Sequence, residues 1–93
     1  MADTRALLNG LEEFLQAFSR HATAVQEDFD RLQASWSNLS EVYQGDAAQS
    51  LADDWQGTVR VFREHIDSCG DMTALLRERI YALAEANSAK GGD

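Results

Sequence analysis

The sequence predicts an all-α fold: an antiparallel two-helix hairpin whose apolar sides call for a second hairpin, completing a four-helix bundle. Three observations carry this. Two long runs of apolar residues recur at steps of three and four, the 93-residue chain has no proline, and Gly45 stands between the runs near the middle.

The first run is Leu7, Leu11, Phe14, Phe18, Ala22, Val25, Phe29, Leu32, Trp36, Leu39 and Tyr43. Its mean step matches the ~3.6 residues per turn of an untwisted α-helix and predicts a helix over about 4–43. A cap is expected near Asp3 or Thr4, or at Asn9 with Glu12. The second run is Ala48, Leu51, Trp55, Val59, Phe62, Ile66, Cys69, Met72 or Thr73, Leu76, Ile80 and Leu83. It predicts a helix over about 47–87. Gly57 and Gly70 each cost about 1 kcal/mol relative to alanine in a helix interior, so Ser68–Asp71 is where this helix bends most easily. The stripe keeps its phase across Gly70, which argues for one continuous helix. The small, polar, glycine-rich residues 88–93 predict a flexible tail.

The connection is expected at 44–46. Gly45 can take the left-handed conformation that closes a helix, and Asp46 with Gln49 resembles a capping pair that opens the next. A competing turn at Trp36-Ser37-Asn38 is weaker, because the stripe runs on through positions 36, 39 and 43. A connection of two or three residues makes the helices antiparallel.

Composition narrows the function. Eight basic against sixteen acidic residues give a formal net charge of −8, and the arginines are scattered among acids, so the basic patch that nucleic acid requires is missing. Anionic membrane surfaces are disfavoured for the same reason. No segment approaches the ~20 apolar residues of a membrane-spanning helix, so no stable insertion is expected. The start MADTRALLNG lacks a secretory leader, and any export is expected without a cleaved signal peptide. Cys69 has no second cysteine to pair with.

Two antiparallel helices have no inside. Each covers one flank of the other's stripe, and the rest is left in water, a mark of an interface. The residues expected to share core and dimer interface are Phe14, Phe18, Val25, Phe29, Leu32, Trp36, Leu39, Leu51, Trp55, Phe62, Ile66, Leu76 and Ile80. Trp36 and Trp55 lie about equally far from the turn and are placed to pack on each other. The partner is a second copy or a similar hairpin; both remain open. Partly exposed tryptophans at that end would suggest docking to a larger protein.

Tyr43-Gln44-Gly45, an aromatic-Xaa-Gly turn between two matched stripes and followed by Ala47, Ala48, Leu51 and Trp55, resembles the turn of the WXG family, small helical-hairpin proteins exported by type VII secretion systems. The resemblance covers about Leu7 to Asn87. Tyrosine stands where the family has tryptophan, and Trp36 has Asn38 rather than glycine two positions on. The resemblance implies a non-enzymatic secretion substrate or co-secreted adaptor, with the secretion machinery or a larger effector as further partners. It implies that Tyr43, Gly45 and Asp46 form the turn motif, and it makes Tyr81 and Glu85 the counterpart of the family's Tyr-Xaa-Xaa-Xaa-acidic export signal. The alternative is a cytosolic dimeric adaptor or regulator, with Tyr81 to Glu85 one more turn of a solvated helix.

His65 and Cys69 share a helix face, and folding about Gln44 and Gly45 brings His21 to about the same height, a set able to hold zinc. Both histidines flank the stripes, however, and Cys69 holds an ordinary core position where cysteine acts as a small hydrophobe. No metal and no cofactor is therefore expected. A Cys-His nucleophile lacks a pocket and oxyanion donors in so thin a bundle. The acidic groups Glu12-Glu13, Glu27-Asp28-Asp30 and Asp53-Asp54 lie mostly off the stripe and lack calcium-loop spacing. No catalytic residue is expected.

Overall fold

Asp3 opens the first helix. Its carbonyl accepts the first bond of the helix ladder, from the N–H of Leu7 at 3.0 Å, and its Oδ1 accepts the backbone N–H of Arg5 at 3.0 Å, one of the donors that a helix start leaves without a partner. The computed structural model describes residues 3–91, and among these α1 runs Thr4–Val42 and α2 runs Asp46–Gly91. No strand occurs among the described residues, and the fold is the all-α helical hairpin expected. Asn9, the alternative cap, lies inside α1.

The reversal occupies Tyr43, Gln44 and Gly45. The N–H of Tyr43 still donates to the Leu39 carbonyl at 2.9 Å, which closes α1. Gly45 then takes φ 105°, the one positive φ among the described residues. No atom would meet a Cβ added there within 4 Å, so glycine is required by backbone conformation and not by crowding.

The start of α2 differs from the capping pair expected. The Gly45 carbonyl accepts the N–H of Gln49 at 3.0 Å, so Gly45 is itself the capping position and Asp46 is the first residue of the first turn. Gln49 does not reach back to Asp46; its Nε2 donates forward to Asp53 Oδ1 at 3.2 Å, a one-turn side-chain pair. Asp46 contributes through charge at the positive end of the helix dipole.

Uninterrupted through Gly57 and Gly70, α2 continues to Gly91 rather than ending at Asn87. Residues 88–91, assigned to a tail by composition, extend the helix because no proline interrupts them and propagation adds one hydrogen bond per residue once a helix exists. Residues 92 and 93 of that expected tail lie outside the described residues.

The chain divides into two units. Thr23–Ser68 is a helical hairpin about Gly45, held by two ring pairs. Phe29 and Phe62 stack with centroids 5.1 Å apart and planes 21° apart; Trp36 and Trp55 stack at 5.8 Å and 25°. Phe29 and Trp36 lie sixteen and nine residues before Gly45, and Phe62 and Trp55 seventeen and ten after it, so both pairs keep one register in this unit.

The other unit joins Met1–Ala22 and Cys69–Asp93. Here α1 turns Leu8, Leu11, Leu15 and Phe18 toward the interior, and α2 contributes Cys69, Thr73, Leu76, Ile80 and Leu83. The inward line therefore differs from the expected one. Leu8 and Leu15 take the places assigned to Leu7 and Phe14, both of which are exposed. Two overlapping lines with the same spacing run along α1, and periodicity alone does not choose between them. On α2 the choice between Met72 and Thr73 falls to Thr73, whose Oγ1 donates to the Cys69 carbonyl at 2.8 Å.

Candidate interaction surface

Few side chains leave water completely. Among the described residues the buried apolar ones are Phe29, Cys69 and Leu76. Of the residues expected at the core and interface, Phe29 and Leu76 are buried, and Phe18, Val25, Trp36, Trp55, Phe62, Ile66 and Ile80 are half-buried. Phe14, Leu32, Leu39 and Leu51 are exposed, Phe14 to 51%. The expected set thus separates into a line that closes the chain on itself and a second line left in water.

In the Thr23–Ser68 unit the exposed side chains border open troughs. One of about 540 Å³ follows α2 past Asp54, Gly57, Thr58, Val61, Phe62 and His65. Gly57 leaves its floor low, while Val61, 65% exposed, forms an apolar rim that the stripe reading did not include. A second trough of about 410 Å³ is lined by Val25, Asp28, Arg31, Leu32, Ser35 and Phe62. Phe62 stacks on Phe29 and still faces both troughs. Asp28 and Arg31 form an ion pair one turn apart on α1, a solvated contact of small energetic weight.

At the turn, Tyr43 is partly exposed and, with Trp36, Ser40, Gln44, Gly45 and Ala48, borders a smaller trough of about 320 Å³. Trp36 and Trp55, stacked on each other, are half-buried. Toward the other end of α2, Tyr81 is 68% exposed and Glu85 is exposed one turn further on. Both lie within the helix, whereas the family's signal follows its second helix.

Cys69 is buried to 1% exposure. His21 belongs to the same unit as Cys69, and its ring lies edge-on to Phe18 with centroids 6.0 Å apart. His65 stands one turn before Cys69 on the uninterrupted α2. Both imidazoles are exposed.

No protein-family model, curated protein or solved structure matches this chain.

Proposed function

We propose that this protein is a non-enzymatic helical hairpin that acts by pairing, with a second copy or a similar hairpin, into a four-helix bundle. The observation that carries the proposal is the area left in water. The chain exposes 7059 Å², against about 5,400 Å² for a compact folded chain of its 10.3 kDa mass. The surplus of about 1,700 Å² exceeds the ~800 Å² per partner of a standard interface. Phe14, Leu32, Leu39 and Leu51 are among the exposed apolar side chains, and exposed apolar patches mark an interface.

Within this reading, the protein is a type VII secretion substrate or co-secreted adaptor of the WXG-like kind. The support is the aromatic-Xaa-Gly turn: Gly45 adopts the conformation that demands glycine, and Tyr43 borders the trough beside it. The exposed Tyr81 and Glu85, one turn apart, form the export determinant.

The test is export in the native host. Wild-type protein is expected in culture supernatant, and Tyr81→Ala is expected to remove it while leaving the cellular level unchanged. Supernatant levels unaffected by the substitution would refute the assigned determinant, and a wild type confined to the cytosol would favour a cytosolic adaptor.

A further inference from the structure

We propose that the face where two troughs of the Thr23–Ser68 unit meet is covered by a second copy of this chain, its α2 laid antiparallel on α2 with Val61 of each copy seated over Gly57 of the other. The inference rests on the pairing reading above and goes further by assigning the face, the register and the identity of the partner.

The two sides of this unit differ in chemistry. Phe62 lines both the trough of about 540 Å³ and that of about 410 Å³, so the two adjoin at its ring, with Val25 and Leu32 on one bank and Val61 on the other. A trough of about 430 Å³ that includes Phe29 is bordered by the polar Gln26, Asp30, Gln33, Arg63 and Asp67. At ~3.6 residues per turn, Gln26, Asp30 and Gln33 stand roughly a third of a circle round α1 from Val25 and Leu32. Covering the first side removes apolar surface from water, whereas covering the second would desolvate charges.

Knob and hole lie on the same helix. Asp54, Gly57, Thr58 and Val61 all line the larger trough and are spaced i, i+3, i+4 and i+7, the four corners of a hole that receives one side chain of a facing helix. Gly57 leaves one corner open, and nothing lies within 4 Å of a Cβ added there. Val61, 65% exposed, is itself the projecting side chain. A two-fold axis crossing α2 near position 59 seats Val61 of each copy in the hole of the other at once, the self-complementary contact of a closed dimer. A dissimilar hairpin would need its own knob and hole at the same spacing.

The exposed area suffices for this contact. The surplus of about 1,700 Å² per chain covers the ~800 Å² per partner of a standard interface. The net charge of −8 on each copy opposes approach, and salt at ~0.15 M screens that repulsion beyond about 8 Å.

Sedimentation equilibrium of the full-length protein at ~0.15 M salt tests the assignment. Wild type is expected as a self-dimer at micromolar concentration. Val61→Glu puts a charge into the hole and Gly57→Leu fills it; each is expected to weaken self-association about tenfold or more. Circular dichroism is expected to show both variants still helical, because Val61 is exposed and a side chain at Gly57 meets open space. Gln26→Lys, at an exposed position on the polar side, is expected to leave association unchanged within about twofold. A wild type that stays a folded single chain would overturn both the pairing reading and this inference. A self-dimer as tight in either face variant as in wild type, or one weakened equally by Gln26→Lys, leaves the pairing reading standing and overturns the face. Pairing only with a different hairpin overturns the choice of partner.

Discussion

Trp36 and Trp55, on opposite helices nine residues before and ten residues after Gly45, stack with ring centroids 5.8 Å apart and planes 25° from parallel. The pair fixes the register of the turn-proximal hairpin at one level, as Phe29 and Phe62 do at another. Offset stacking of this kind contributes about 0.5–1.5 kcal/mol beyond the area it buries. A double-mutant cycle with Trp36→Phe and Trp55→Phe, read by urea denaturation, is expected to show coupling within that range. Strict additivity would mean that the contact does not stabilise the fold.

Gly45 and Gly70 are predicted to respond oppositely to the same substitution. Gly45→Ala forces a Cβ into φ 105° and is expected to destabilise by roughly 1–2 kcal/mol, with Gly45→Asn milder. Gly70 is helical and has nothing within 4 Å of an added Cβ, so Gly70→Ala is expected to stabilise by up to about 1 kcal/mol. Thermal melts of the two variants at one protein concentration check the contrast.

Asp3→Ala removes the side-chain acceptor that receives the Arg5 N–H. The expected loss is about 0.5–2 kcal/mol, with Asp3→Ser restoring most of it. Hydrogen exchange of the first-turn amides localises the effect; an unchanged exchange rate there would contradict the capping role.

The helices, their antiparallel return and the reversal at Gly45 were legible because each has a local cause: apolar spacing, absence of proline, and one residue able to take a positive φ. The facing of Trp36 and Trp55 followed from counting back from the turn. Which of two lines on α1 points inward was not legible, since Leu7 and Leu8, like Phe14 and Leu15, satisfy the same spacing. The capping role of Gly45 was assigned to Asp46 because side-chain chemistry is visible in sequence and a backbone carbonyl is not.

Leu32 and Leu39 are exposed on α1 and belong to the line assigned to a partner. In a solitary chain, Leu32→Glu and Leu39→Glu would change stability by no more than about 0.5 kcal/mol. In a paired one they place a charge in an apolar interface, and each is expected to weaken association at least tenfold. Dilution series followed by circular dichroism separate the two outcomes, because a dimer melts at a temperature that rises with concentration.

The central claim is that one chain leaves too much apolar surface in water to remain alone. Light scattering coupled to size-exclusion chromatography, on purified protein at micromolar concentration, tests it most directly. For the protein without a heterologous partner, a mass of twice 10.3 kDa supports self-pairing. A dissociated chain that folds and doubles in mass only with a similar hairpin supports hetero-pairing. A stably folded single chain with neither behaviour would contradict the account.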